Sequence, residues 1–420
     1  MTLSVWNQPL AQLPERCDVL VVGAGPAGSA CARVLALAGR QVVLVDAQAF
    51  PRDKVCGDGL VPDAHAALRE LGVHDAVMAR AHAVSAACCV APGGTSVDVP
   101  GELAVLPRRE LDALLCQAAV DAGARMVAPA RFVAPLTGPD GRVTGARLRQ
   151  GTDERLLAAT WTVLATGAPP AALLAAGLCE RRTPSAMALR AYVHHPDMAA
   201  EVPNLRFVWH RRLRGGYGWV FPAGEGRYNI GVGVLDSHTV ATDGQEPVAS
   251  GKRSGPNLRT LFDDFLAADP VAARLMHEGQ LLGELKGAPL RCDLDGARWH
   301  APGVLVAGEA AGSTYAFTGE GIGKALETGI AAARALLGGW GSGDAAVRAD
   351  YDVRMQALLP RFRMYRQAAS FNRHPLLVGL MVWRARRSQR TVQRLSDILN
   401  ERRMPGSLLS WRGFRAMMLG

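Results

Sequence analysis

Several familiar signatures are missing from this chain, and each absence narrows what it can be. Its eight cysteines, at positions 17, 31, 56, 88, 89, 116, 179 and 292, include no CxxC pair and no metal-finger spacing. That excludes the usual zinc modules and leaves small buried thiols in a reducing compartment, with no metal expected. No apolar run approaches the roughly 18 residues that a membrane-spanning helix needs. The opening residues, MTLSVWNQPLAQLPER, lack the apolar stretch of a secretory signal, so the cytoplasm is the expected address. Acids are scarce in one region only. From Arg361 onward thirteen arginines face just Asp397 and Glu401, giving +11 there, whereas the preceding 360 residues sum to about −2 of the net +9. Basicity confined to a tail does not describe a nucleic-acid enzyme, so no nucleic-acid partner is expected. The composition is otherwise that of a globular protein, with 49% hydrophobic and 20% charged residues in 420. That length suffices for two cores, or for one large discontinuous domain with additions.

What is present begins at residue 17. An apolar run, Val19 to Val22, meets the turn Gly23-Ala24-Gly25-Pro26-Ala27-Gly28 and then a small-residue helix to about Leu37. A second apolar run, Val42 to Val45, ends on Asp46. This is the βαβ dinucleotide fingerprint in its required context. Gly23 permits the tight turn, Gly25 lets the backbone approach a pyrophosphate, and Gly28 lets helix and strand pack closely. The helix N-terminus, with Pro26 and Ala27, presents unpaired N–H groups and a positive dipole end to the phosphates. Asp46 is placed to accept hydrogen bonds from the adenosine ribose.

A second cofactor motif lies far down the chain. Gly303 to Gly308 reads as a buried strand running into Glu309, and Thr318-Gly319-Glu320-Gly321-Ile322 opens a long small-residue helix. Glu309 suits the hydroxyls of a ribityl chain. The helix end at Gly321 and Ile322, with Gly319 before it, would face the negative charge of a reduced flavin. Two such motifs favour FAD over NAD. The strand ending at Ala165-Thr166-Gly167 can rest against the same cofactor without a side-chain clash. Arg52 brings positive charge towards the flavin's phosphates or ring carbonyls, and Cys56-Gly57 gives a backbone able to approach a flat ring; an ordinary connection with an incidental thiol is the alternative. Arg108, at the start of the helix through Leu111 and Leu115, either contacts the cofactor or is a solvated charge.

The expected fold class is α/β. A discontinuous Rossmann-like FAD-binding domain comprises residues 1–80, 106–180 and 291–345. It is interrupted by a strand-rich excursion at 81–105 and a β-sheet-rich substrate domain at 181–290, and is followed by a helical C-terminal region at 346–420. In the substrate domain Tyr217, Trp219 and Phe221 alternate along one strand face opposite a strand carrying Gly231 and Gly233, which makes either an apolar slot or a sandwich core. Residues 236–257 read as a polar loop and 257–279 as helical. In the tail, the apolar PLLVGLMVW at 375–383 directly precedes RARRSQR, which suits either a surface touching anionic lipid or a lid with its arginines reaching water.

Together GAGPAG with Asp46, the arginine–helix segment at 108–115 and GEAAG…TGEGI at 308–322 resemble the superfamily of aromatic hydroxylases, flavin halogenases and geranylgeranyl reductases. That superfamily usually has Gly-Asp where this chain has Gly308-Glu309; the extra methylene still permits a ribityl contact. Within it the chain is most similar to the geranylgeranyl reductase family. Pro51 and Cys56-Gly57 match that family's proline-to-cysteine motif, with Asp58 standing where a second glycine is common. Tyr217, Trp219, Phe221, Pro222, Gly231 and Gly233 match YxWxFP followed by GxG, whereas the halogenase WxWxIP is poorly met. The resemblance implies a channel for a long isoprenoid chain, with Cys56 near the flavin ring.

The expected reaction is reduction of C=C bonds in a prenyl or other lipophilic small molecule, by hydride from flavin N5 plus a proton. An isolated alkene accepts hydride poorly, so an acid and a dry site are required. Cys56 is the expected acid or relay, since an ordinary thiol keeps its proton at neutral pH. Tyr217 and Trp219 would hold the chain and face developing positive charge. One alternative is a monooxygenase or halogenase-like tailoring enzyme acting on an aromatic or carrier-bound substrate; another is an electron-transfer flavoprotein serving a quinone pool. No second nucleotide-binding βαβ follows Gly151, so electrons would come from transiently bound NAD(P)H or from a ferredoxin-like reductase partner. The basic tail suggests a peripheral contact with anionic membrane.

Overall fold

The apolar runs near the start of the chain become the middle of a parallel sheet in the computed structural model, which describes residues 5–235 and 257–403. The polar loop at 236–256 and the tail arginines Arg412 and Arg415 lie outside the described residues. Strand Arg16–Val22 sits between Val42–Val45 and Asp153–Leu164, with Arg125–Val127 and Val304–Val306 extending the parallel order on either side. Val19, Leu20, Val21, Val43, Leu44 and Val45 are almost wholly buried. Strands covered on both faces lose the polar alternation of a half-exposed sheet, which is why the sequence shows continuous apolar runs here. The first half of Asp153–Leu164 pairs antiparallel with Val143–Gln150, which pairs in turn with Arg131–Thr137.

A second, nine-stranded sheet gathers segments that are far apart in sequence. The hairpin of His82–Val90 and Ser96–Val105 joins the later strands because Leu205–Val208 pairs in parallel with His82–Val90. Gly216–Pro222 lies between Leu205–Val208 and Arg227–Val234, and Ala186–His194 follows on the far side of the latter, all antiparallel. The two-residue strand Gly59–Leu60 adds to the edge at Ser96–Val105. The loop carrying Cys56 therefore ends inside the second sheet.

Two helices lie close to the parallel sheet's carboxyl ends, Pro26–Leu37 and Ile322–Gly338. They cross at small residues: a methyl group on Gly329 would lie 2.1 Å from the Ala27 carbonyl oxygen. Residues 257–279 form two helices rather than one, Leu258–Ala268 and Pro270–Glu278. Asp269 leaves helical geometry and its carboxylate accepts from the Ala272 N–H, capping the second helix, with Pro270 in the first position.

The C-terminal helices are clasped to the cofactor side by a buried cation. Lys324, 1% exposed, has Asp63, Glu327 and Glu401 at 3.3, 2.8 and 3.2 Å, and Arg361 reaches the other oxygen of Glu401 at 2.6 Å. Gly329→Ala drives a methyl into the helix crossing. Overpacking of this kind costs about 1–3 kcal/mol, so chemical denaturation should show a lower midpoint with an unchanged slope.

Candidate active site

The glycine turn has the geometry its sequence demands. Gly23 has φ +100°, and a methyl on it would lie 2.3 Å from the Ala165 carbonyl oxygen; a methyl on Gly28 would lie 1.7 Å from the Gly23 oxygen. Gly25 faces two guanidiniums, with Arg52 Nη2 and Arg108 Nη2 at 3.5 and 3.8 Å from where its Cβ would be. Arg108 is buried and opens its helix, so it is not a solvated charge. It binds Asp112 through two hydrogen bonds, at 2.6 and 2.9 Å, while Arg52 bridges Asp112 at 2.9 Å and Asp46 at 3.2 Å. Asp46 also accepts from the Ala24 N–H at 2.9 Å. A helix N-terminus with two guanidiniums beside it concentrates positive potential on a cradle that has no side chain. That is the complement of a diphosphate, and it fits the pyrophosphate of FAD.

The second motif forms a turn instead of a strand tip. Glu309 lies in the single 3₁₀ turn Gly308–Ala311, with Lys54 Nζ 3.3 Å from one oxygen and Thr314 Oγ1 donating to the other at 3.3 Å. Gly308 packs on Ala27, so the two cofactor motifs touch. Gly167 and Gly319 have φ +75° and +71°. Gly321 caps Ile322–Gly338 without a side-chain hydrogen bond, leaving the first N–H groups of that helix open to a ligand. The Thr166 hydroxyl is buried with no hydrogen-bond partner in the protein. Open N–H groups and an orphaned hydroxyl to donate, with one carboxylate to accept, suit the polar atoms of a flavin nucleotide.

Cys56 and the aromatic strand meet next to this turn. A methyl on Gly57 would lie 2.9 Å from the Phe221 ring and 3.6 Å from Trp219 Nε1. Tyr217 donates its hydroxyl proton to the Thr318 carbonyl, and Gly319 lies against that hydroxyl. Tyr217 meets Trp219 edge to face and Trp219 meets Phe221 at a tilt, both with ring centres 6.3 Å apart, and Phe207 and Trp209 join the cluster. Gly231 and Gly233 lie opposite Trp219 and Tyr217 on the neighbouring strand, and a methyl on Gly231 would sit 2.3 Å from the indole of Trp219. The indole packs over that strand because Gly231 has no side chain to collide with it. Val378 and Val382 of the helix Pro375–Ala385 belong to the same buried cluster and close it from the C-terminal side.

Four polar residues here were not singled out from the sequence. Asn229 accepts from Trp219 Nε1 at 2.9 Å and donates to the Cys56 carbonyl and to Asp58, both at 2.7 Å. Tyr192 donates its hydroxyl to the same Asp58 oxygen, and Arg190 binds Asp53 at 2.8 Å. The signal was available: each is a polar side chain inside an otherwise apolar run, or, for Asp58, between two glycines. Burial raises the Asp58 carboxyl to about 6. Burial also raises Glu320 to about 8, with Asp63 and Glu401 adding like charge, so Glu320 holds its proton at neutral pH.

Residues 16–221 match a family model described as an FAD binding domain. The chain is 34% identical over 347 residues to a menaquinone reductase of Mycolicibacterium smegmatis, covering 77% of each chain. It is 31% identical over 314 residues to digeranylgeranylglycerophospholipid reductase 2 of Methanopyrus kandleri, covering 74% of each. A solved geranylgeranyl bacteriochlorophyll reductase-like protein of Thermoplasma acidophilum superposes with a TM-score of 0.73 at 21% identity, covering 96% of both chains. A flavin-dependent brominase superposes with 0.70 at 18% identity, covering 96% of this chain and 97% of that one, a likeness of fold.

The raised acids set the sign of the pH dependence. A carboxyl whose folded pKa is raised stabilises the fold below its unfolded pKa, and that stability is lost as pH rises through the folded value. Tm of the flavin-free protein should therefore fall as pH rises towards about 6, where Asp58 and Asp63 ionise, and go on falling until about 8, where Glu320 does. Glu320→Gln should remove the part of the fall above about 6 and leave the earlier part.

Proposed function

The chain belongs to the geranylgeranyl reductase family of FAD-dependent oxidoreductases, and from that premise we propose that it reduces C=C bonds in the prenyl chain of a lipid. The relatives named for menaquinone and for a digeranylgeranyl lipid have a prenyl chain in common. The observation that carries the reading to this chain is the aromatic cluster of Tyr217, Trp219 and Phe221 packed over Gly231 and Gly233, with Gly57 of the Cys56-Gly57 turn against the Phe221 and Trp219 rings. An apolar aromatic surface holds an alkene by contact alone and offers it no polar partner to compete with reduction.

FAD, when bound and reduced, supplies the hydride. The protein's share is binding, dryness and the proton. Gly23 to Gly28, Arg52 and Arg108 hold the pyrophosphate, Asp46 the adenosine end, and Glu309 the ribityl side. Tyr217, Trp219 and Phe221 hold the alkene and face the positive charge that grows on the carbon taking the hydride as the other carbon is protonated. Cys56, next to the Gly57 that touches those rings, supplies the proton to that other carbon. The closed cluster keeps water from competing. Electrons arrive from transiently bound NAD(P)H or from a ferredoxin-like partner, since the sequence after Gly151 reads without a second nucleotide-binding βαβ.

The same helix that closes the aromatic cluster also meets the lipid. Pro375–Ala385 buries Val378 and Val382 inward while Leu376 is 65% and Trp383 45% exposed, and Arg387 covers the Trp383 ring at 4.4 Å. Among the described residues no helix is long and apolar enough to cross a membrane. An apolar outer face among arginines binds an anionic bilayer peripherally, at the point where a prenyl chain would leave it.

Reduced enzyme incubated without air with a panel of prenyl lipids should yield products heavier by two hydrogens per bond, read by mass spectrometry. Substrate-dependent oxygen uptake with an oxygenated product would instead support a monooxygenase. Cys56→Ser should slow single-turnover oxidation of the reduced flavin by substrate by about 10²–10⁴-fold, the usual worth of a positioned acid; an unchanged rate removes Cys56 from the mechanism. Leu376→Glu with Trp383→Glu should abolish co-sedimentation with vesicles containing anionic lipid.

A further inference from the structure

The Cys56 turn is fastened to the substrate sheet through one carboxylate. Asp58 is fully buried and its backbone has φ +66°, the left-handed region that aspartate enters more readily than most side chains. One of its oxygens accepts from the Tyr192 hydroxyl and from Asn229 Nδ2 at 2.7 Å, and the other accepts from the Arg108 N–H at 3.2 Å. The donors come from three separate elements: strand Ala186–His194, strand Arg227–Val234 and the helix that carries the phosphate-side arginine. Asn229 extends the fastening in two directions, to the Cys56 carbonyl and to the indole N–H of Trp219.

We propose that Asp58 is a positioning residue whose carboxylate pins the Cys56-Gly57 turn to the aromatic sheet and so fixes the thiol relative to the Trp219 face. This rests on the reductase reading above for its consequence, though not for its geometry. A plain structural role is the poorer account, because a buried carboxylate is a costly way to close a loop. Burial lifts the Asp58 carboxyl to about 6 against the lowering pull of Tyr192, Arg190, Asn229 and the Arg108 N–H. Its charged surroundings are Arg190 and Tyr192 on one strand, Arg108 on the helix, and Cys56 and Asp53 on its own loop. A raised carboxyl gives stability below its unfolded pKa and loses it as pH rises through about 6. At neutral pH the fold is therefore the worse for this charge, and the three donors that need an acceptor are its beneficiaries.

Asp58→Asn keeps the shape and removes the charge. In the FAD-loaded variant, oxidation of the reduced flavin by prenyl substrate should slow by about tenfold or more, as expected for misplacing a reacting group by a fraction of an ångström. Alkylation of Cys56 by iodoacetamide, followed by mass spectrometry at one fixed pH, should be several-fold faster than in the wild type, while Tm at pH 7 is not lowered. The wild-type rate should fall as pH drops through about 6, and the variant's should not. Tyr192→Phe, which removes one donor and leaves the carboxylate, should shift both rate and alkylation the same way by less. Equal Cys56 alkylation in wild type and Asp58→Asn overturns the proposal, whatever happens to turnover. If the wild type does not oxidise its flavin with any prenyl lipid, the reductase reading fails, and the alkylation comparison still decides the role of Asp58.

Discussion

A carboxylate with no exposed surface, Asp112, holds two guanidiniums against the first turn of the first helix. Most of the site follows from that arrangement. Charges taken out of water are costly, and a buried ion pair is seldom worth more to the fold than the apolar side chains that might replace it. Arg52 and Arg108 also add positive charge to a helix end that is already positive. The arrangement makes sense as half of a contact whose other half is a diphosphate. The glycine turn, the small residues at the helix crossing and the opening of the 108–121 helix all serve to bring those cations within reach of one another.

Around that anchor the molecule sorts two kinds of surface. Near the first helix the side chains are missing or cationic, and the donors are backbone N–H groups. Farther along, the surface is aromatic and dry, and its polar atoms are spent on one another: Trp219 on Asn229, Tyr217 on the Thr318 carbonyl. The loop from Arg52 to Leu60 passes from the first surface to the second. It begins as a partner of Asp46 and ends as a strand of the substrate sheet. Few segments of nine residues take part in both.

The parts of this design that depend on local chemistry were legible in the sequence. Gly23, Gly25 and Gly28 act within six residues of one another, and their spacing alone states the turn. The alternation of Tyr217, Trp219 and Phe221 and the glycines opposite them are likewise written in strand periodicity. The break between the helices at 258–268 and 270–278 is invisible in sequence because Asp269 looks like any polar helix residue until its cap is seen. The turn at Glu309 is invisible because a 3₁₀ turn of four residues has no periodicity to detect. The role of Arg108 stays open in sequence because its partner, Asp112, is visible there while its burial is not. The members of the Asp58 network stand out singly as polar residues in apolar surroundings, but their joining does not. Residues 56, 58, 108, 192 and 229 come together only when both sheets exist.

That non-locality also bears on how the protein is made. The central strand Arg16–Val22 has one neighbour at Val42–Val45, but its other neighbour ends at Leu164, and the strand beyond that is Val304–Val306. The substrate sheet likewise joins His82–Val90 to Leu205–Val208. A chain emerging from the ribosome holds its glycine fingerprint ready long before it has the sheet to mount it on. Parallel pairings across such sequence distances close late and slowly, and until they do the apolar strands stay uncovered. Synthesis of this protein thus includes an extended interval in which the earliest strands await the latest, and the glycine fingerprint meets the turn at Gly308 only when that interval ends.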